Sequence, residues 1–439
     1  MRVQSCSLKT FTRHKKYDTV ICVEICVGRI VAITPRCKRG AFGLRGFESL
    51  PTHKISIEMK NRAEISGLRT WIEIDRKAIK NNYNVFRKLL SKTTKLMSVV
   101  KSNAYGHGLV DFSKEIQKLG VDFFGVDSIV EADTLRESGI KKPILVLGYT
   151  LAVRFKEALR NNASLTISDF ESLKNIEKYK KTLNNLKIHI KIDTGMHRQG
   201  FFPEEIPRVI QILKTLPRIK VEGLYTHFSS AKNPNSKTET SKQINQFKKV
   251  IQLFEEASFR NTIKHASATG GTLVFSGEYF DMVRVGIGLY GLWPSKEIEN
   301  VYRNKIKLKP VLSWKTIVPQ IKKVPKGAGV GYDLTEKLSR DSIVAILPVG
   351  YWHGFPRSLS GKGNVLIRGV KAKVLGRVSM DMIVVDVTDV KGAKVLDVVT
   401  IIGKDSAQEI TARDTAYFAE TSQYEIITRL NPLIKRIVV

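Results

Sequence analysis

The chain has 439 residues, 42% of them hydrophobic, and 73 Lys and Arg against 41 Asp and Glu give it a formal charge of +32. That length exceeds one small core and calls for two domains or more. So large a basic excess invites a nucleic-acid or membrane partner, yet its Lys and Arg alternate with acids and amides along helix-like stretches such as SLKNIEKYKKTL, a solvated surface that excludes both.

All four cysteines, Cys6, Cys22, Cys26 and Cys37, lie at the start. Beyond Cys37 the chain can hold no disulfide, as expected of a cytoplasmic protein in a reducing compartment. Cys22, Cys26 and Cys37 lack a fourth ligand, and no metal site is expected. The longest apolar run, TVICVEICVGRIVAI, carries Glu24 and Arg29 and is too short to span a bilayer. Residues 1–67 show no sustained periodicity, and Met59 stands just before the first convincing strand. This segment is expected to be a disordered extension or a mis-called start.

From Thr70 the texture changes. TWIEID reads as a strand, and in the segment after it Ile79, Tyr83, Phe86 and Leu90 share one face of an amphipathic helix. Strand-like KLMSVVK, DFFGVDS, PILVLGY, SLTISD, KIHIKID, KVEGLYTHF, KHASATG and DMVRVGIGLYG then come in order, several separated by helical segments such as FSKEIQKLG and EEIPRVIQILKTL. Such alternation implies parallel strands with right-handed crossovers, and the strand count favours a closed (β/α)8 barrel over residues 68–300. From 301 to 439 short strands dominate, in SWKTIVPQIKKV, DSIVAILPVGY, GNVLIRGVKAKVLG, SMDMIVVDVTDV and LDVVTIIG, so a mainly-β C-terminal domain is expected. A final helix is expected over ARDTAYFAE.

Barrel enzymes place their chemistry at the carboxyl ends of the strands. Lys101 follows Val99 and Val100 at such an end, and His227 follows GLYT. A lysine drawn out of water loses its proton more readily, and its free amine attacks carbonyls, notably the aldehyde of pyridoxal phosphate. Tyr105, in a glycine-bounded loop, can offer a hydroxyl to a phosphate. GIGLYG at 286–291 matches the dinucleotide fingerprint in form but comes too late in the repeat series. Its glycines still let backbone amides approach a phosphate beside the last barrel strand, and SATGG adds the hydroxyl of Thr269.

The motifs SVVKSNAYGHG, KIDTGMHRQG, GLYTHFSSA, RVGIGLYGL, VGYDLT, LPVGYWHGFPR, GRVSMDM and QYEIITRLNP occur in the order and spacing of the alanine racemases. The chain resembles that family, barrel-type pyridoxal-phosphate isomerases, from about Leu68 to Val439. The resemblance implies that Lys101 holds the cofactor and acts as one base at the α-carbon of L- or D-alanine. It implies that Tyr332 is the opposite base, contributed by the second subunit of a homodimer. A phenol titrates at about 10, so a base of this kind needs cations nearby. Arg284 would face the pyridine nitrogen, where a guanidinium cannot accept a proton, so the carbanion is short-lived and side reactions are suppressed. His227 would bond toward that arginine. Arg198 would orient the substrate carboxylate, held by a carbamylated Lys191. Met380, Asp381 and Tyr351 would line the substrate entrance, and Tyr105, Thr269, Gly286, Ile287 and Tyr424 would hold the phosphate. The product implied is D-alanine for peptidoglycan.

Some positions depart from the family pattern. Ala268 and Thr269 replace an asparagine and a serine, Ser379 a residue that is often cysteine, and Trp352 with His353 a small residue and an acid. They bear on substrate breadth, leaving a broader racemase that accepts serine as the alternative. A barrel-type decarboxylase is disfavoured by Arg284, and a non-enzymatic cofactor-binding barrel by the added β domain and Tyr332.

Overall fold

The computed structural model describes residues 65–233, 237–275 and 277–439, with the backbone of Ile25–Cys26 and Arg29–Ile30. The chain divides into two compact units, Met1–Ser56 and Ile57–Val439. In the first, Ile25–Cys26 and Arg29–Ile30 pair antiparallel. The readings of the leading segment as a disordered extension or a mis-called start, and of its cysteines, lie outside the described residues.

The second unit opens with β1, Thr70–Ile74. Asp75 then caps the helix Arg76–Leu89 by accepting from the backbone N–H groups of Lys77 and Ala78, and that helix buries Ile79, Tyr83 and Phe86 on the face its spacing predicts. Eight parallel strands close into a barrel: β2 Lys95–Val99, β3 Phe123–Val126, β4 Ile144–Val146, β5 Ala163–Ile167, β6 Lys187–Lys191, β7 Lys220–Tyr225, β8 Ile263–Ala268 and β9 Met282–Val285. β9 pairs with β2 to complete the ring. Ser128 and Asp169 cap the helices after β3 and β5, so the chain turns sharply off each strand end.

β1, read from sequence at the head of this strand series, belongs to another sheet. It runs antiparallel to β10, Leu312–Ile317, and parallel to the terminal strand Lys435–Val438. Its Trp71, Ile72 and Ile74 are all buried, because both faces of a central strand are covered. The C-terminal region is a ten-stranded, mainly antiparallel sheet. After the expected helix Ala412–Phe418 comes a second, Gln423–Thr428, which packs against the turn after β2.

The barrel interior is divided. Met97, Val99, Phe123, Leu145 and Met282, from β2, β3, β4 and β9, form one apolar cluster. Facing it are polar side chains from β5 to β9, among them Thr166, His189, Tyr225, His265 and Arg284, all buried. Among the described residues no helix is long and apolar enough to cross a membrane.

Candidate active site

The turn after β2 is strained. Ser102, Asn103, Ala104 and Tyr105 all lie in the left-handed region, with φ between 51° and 56°. Each such residue costs about 1–2 kcal/mol. Ala104 N–H donates to Val100 O at 2.8 Å, Gly106 N–H to Ser102 O at 3.2 Å and Gly108 N–H to Asn103 O at 3.0 Å. Asn103 is tied at both ends, its N–H to Glu131 and its side-chain oxygen to the N–H of Leu109. The result delivers Lys101 and Tyr105 to one cavity of about 710 Å³ at the carboxyl ends of the strands.

One end of that cavity is built for an anion. Thr269 Oγ1 accepts from the N–H groups of Gly286 and Gly288, at 3.2 and 3.3 Å. A Cβ on Gly286 would stand 2.7 Å from the Tyr105 hydroxyl, so a side chain there would fill the cradle. Tyr424 approaches Tyr105 from the C-terminal helix, and Ile287 lines the same wall. Burial pushes the Tyr105 phenol up to about 12, keeping it a neutral donor. Lys101, Lys191, Arg198, Lys232 and Arg284 also line the cavity, against one carboxylate, Asp127, whose Oδ1 lies 3.4 Å from the Lys101 amine. Such a field suits a phosphate and a substrate carboxylate together.

Arg284 is buried and held on several sides. Nη1 donates to His265 Nδ1 at 2.9 Å, and Nη2 donates to the carbonyls of Thr226 and Ala266, each at 2.8 Å, and to His227 Nδ1 at 3.2 Å. Burial lowers its guanidinium only to about 10, so it stays charged at neutral pH. Burial and then the Arg284 charge hold His227 down to about 3, a neutral imidazole.

Beside it, β6 ends in Lys191, whose Nζ donates to Gln199 Oε1 at 2.8 Å. Burial, then the charges of Arg198 and Arg284, lower this lysine to about 8. Asp193 organises the loop that carries Arg198 by accepting from the N–H groups of Gly195, Met196, His197 and Arg198.

Of the residues singled out from sequence, the structure thus gathers Lys101, Tyr105, Lys191, Arg198, His227, Thr269, Arg284, Gly286, Ile287 and Tyr424 around one cavity. Tyr332, Tyr351 and Met380 line a different one, of about 930 Å³, on the C-terminal region. Asp381 lies in the loop beside it, close enough to His353 to act on its charge. Sequence reasoning passed over Asp127, His189, Glu222, His265 and Arg436. The period-two spacing of Lys187, His189 and Lys191 signals the polar face of β6. Nothing local marks Glu222.

These residues fit a phosphorylated aldehyde held by an amine, with the phosphate at the glycine end and a cation toward the ring. Fold and site together define a barrel-type pyridoxal-phosphate enzyme. Residues 74–294 match the family model for the alanine racemase N-terminal domain, and residues 311–438 that for the C-terminal domain. An alanine racemase of Halothermothrix orenii is 39% identical over 84% of this chain and 96% of its own length. The solved alanine racemase of Clostridium difficile 630 superposes with a TM-score of 0.80 at 34% identity, covering 85% of this chain and 96% of that one. An alanine racemase structure from Bartonella henselae, described with covalently bound pyridoxal phosphate, gives a TM-score of 0.75 at 27% identity over 85% of this chain and all of that one. The chain belongs to the alanine racemase family, pyridoxal-phosphate-dependent isomerases.

Proposed function

We propose that this enzyme interconverts L- and D-alanine by a two-base route in which Lys101 serves one face of the α-carbon and Tyr332, from a second copy of the chain, serves the other. The observation that carries this reading is the split of the site residues between two cavities of one chain. Tyr332, Tyr351 and Met380 are 68%, 44% and 54% exposed, large side chains turned outward where a homodimer would cover them. Among the described residues, Tyr332 does not line the cavity that holds Lys101, Arg198 and Arg284. Pairing two copies mouth to face would complete two sites at once.

Lys101 would hold pyridoxal phosphate at rest and, once the substrate amine displaced it, would be free to act as a base, while the cofactor would supply the electron-withdrawing ring that acidifies the α-hydrogen of the amino acid. Thr269, Gly286, Ile287, Tyr105 and Tyr424 would hold its phosphate, and Arg284 its ring nitrogen. Arg198 would fix the substrate carboxylate, so that the α-hydrogen points at one base or the other. A proton taken by Lys101 on one face is replaced by one from Tyr332 on the opposite face, and the configuration inverts. Met380, Tyr351 and Asp381 would narrow the entrance and favour a methyl side chain. The shortage of cysteine beyond Cys37 suits a reducing cytoplasm, and D-alanine would be available there for peptidoglycan.

Subunit mixing tests the assignment directly. Lys101→Ala should lose the cofactor's Schiff-base absorbance and Tyr332→Phe should keep it, each being nearly inactive alone. Dissociated and re-paired in equal amounts, half the dimers are mixed and each carries one intact site, so about a quarter of the wild-type activity should return. No recovery from well-folded mixed dimers would overturn the shared site.

A further inference from the structure

We propose that Glu222, partly buried in the barrel two imidazoles from Arg284, is a positioning residue for that arginine. Through His189 and His265 it fixes where the hydrogens sit along the chain, so that an accepting imidazole nitrogen always faces Arg284 and holds its guanidinium in place. This rests on the reading that Arg284 faces the ring nitrogen.

The direction of each hydrogen bond is set by what each group can do. A guanidinium only donates. Since Arg284 Nη1 donates to His265 Nδ1 at 2.9 Å, that nitrogen accepts, and a neutral imidazole then carries its hydrogen on Nε2. Burial and the Arg284 charge hold His265 well below the ordinary histidine range, so it is neutral. Its Nε2 hydrogen goes to His189 Nδ1 at 2.9 Å, and the His189 Nε2 hydrogen goes to Glu222 Oε2 at 3.2 Å. The Ser164 hydroxyl donates to the same oxygen, and Lys187 Nζ stands 3.9 Å from Oε1. Burial raises the Glu222 carboxyl, but the hydrogen bonds from His189 and Ser164 and the Lys187 charge outweigh it and hold it below the ordinary carboxylate range. The chain of hydrogen bonds therefore runs from a group that can only donate to one that can only accept. Its polarity has one solution.

The barrel is deformed to build it. Register between β6 and β7 passes from Ile188–Val221 to His189–Gly223, leaving Glu222 as the extra residue of a bulge that turns it inward. A Cβ on Gly223 would lie 2.2 Å from His189 Nδ1, so the ring sits where only glycine admits it. A second register shift lies between His265 and Ala268, beside Arg284. The Tyr225 ring stacks on His265 at 4.8 Å and 9°, fixing the imidazole plane. The facing β2–β4 wall fills with apolar side chains and needs no bulge of this kind.

Reversing the polarity would bring a hydrogen on His265 Nδ1 against a guanidinium hydrogen. Glu222 opposes that state because a carboxylate cannot donate to His189. In Glu222→Gln the shape is kept, but the amide can donate, and the reversed arrangement becomes accessible. Two readouts separate these states. Side-chain nitrogen NMR of the wild-type holoenzyme without substrate should place the hydrogen of both His189 and His265 on Nε2, and Glu222→Gln should mix the tautomers. The second readout is half-transamination, in which alanine is oxidised to pyruvate while the cofactor aldehyde becomes an amine, with no net water. Its ratio to racemisation should rise about tenfold in Glu222→Gln, the scale of one hydrogen bond to a charged group. Ser164→Ala should move both readouts the same way to a smaller extent, should Glu222→Gln fold poorly. A hydrogen on Nδ1 of either histidine in the wild type, or an unchanged ratio in a folded Glu222→Gln, would overturn the inference. If Arg284→Lys shifts the ratio and Glu222→Gln does not, the inference alone fails. If neither does, the placement of Arg284 fails with it.

Discussion

Carbon dioxide attaches to amines, not to ammonium groups, so the chemistry available at Lys191 depends on how its proton is held. Burial and the neighbouring Arg198 and Arg284 charges bring this lysine from 10.5 to about 8. At pH 7 the free amine is then about 10% of the population, against about 0.03% for an ordinary lysine, a gain of roughly 300-fold. The same shift corresponds to about 3 kcal/mol against charging this amine in the folded state. Carbamylation replaces a positive charge among cations with a negative one and gives Arg198 an anionic neighbour. We expect a labelled carbamate carbon on Lys191 when the enzyme is equilibrated with 13C-bicarbonate, rising as pH passes upward through about 8 and absent from Lys191→Ala. Gln199, which now accepts from Lys191 and donates to Ser168 at 3.1 Å, must turn its amide to meet the new group. Stability tracks the proton as well. Between the folded value and 10.5 the unfolded chain binds a proton the folded one lacks, so this site's destabilisation is full below about 8 and fades as pH rises through that window. An identical carbon spectrum for wild type and Lys191→Ala at pH 8.5 would refute the reasoning.

Two further outcomes concern the turn that carries Lys101. Arg436 donates to Gly106 O through Nε at 3.2 Å and Nη2 at 2.9 Å, and to the carbonyls of Leu430, Asn431, Pro432 and Ile434. Arg436→Met should lose about 3 kcal/mol in urea unfolding, a few buried bonds to a charged donor, and weaken cofactor binding about tenfold or more by titration; unchanged cofactor affinity would show that the turn does not depend on this cap. Gly106→Ala places a Cβ 1.8 Å from Ile427 O at φ +83°, so thermal unfolding should reveal a loss of about 3 kcal/mol or more, and a near-neutral result would mean the Gln423–Thr428 helix moves aside freely.

Much of this fold is legible in the sequence because barrels repeat. Alternation of strand and helix from Lys95 onward leads to the closed ring, and the strand-end rule singles out Lys101 and His227 before any likeness is considered. β1 is misplaced by sequence because a strand's text does not say which sheet it joins. Its partners lie at Leu312–Ile317 and Lys435–Val438, far away in sequence, and only pairing reveals them. Glu222 is illegible for a sharper reason. Period-two reading assumes an unbroken pleat, and a bulge of one residue reverses which side chains face inward from that point. Arg436 escapes because a basic residue near the end of a chain with 73 of them carries no signal until its carbonyl partners are in view.

The two regions of the second unit meet at the strained turn. Four successive left-handed residues store about 4–8 kcal/mol by the usual penalty per residue, more than the few local backbone bonds of the turn can offset at about 1 kcal/mol each. The balance comes from outside the barrel. Gly106 lies against the backbone of Ile427, and its carbonyl is held by Arg436, on the last strand of the C-terminal sheet. That strand pairs with β1, whose chain leads at once into the helix Arg76–Leu89 and the first barrel strand. β1 and the terminal strand are therefore neighbours close to Gly106, and the turn that presents Lys101 and Tyr105 to one cavity is held in shape by Ile427 and Arg436 of the C-terminal region.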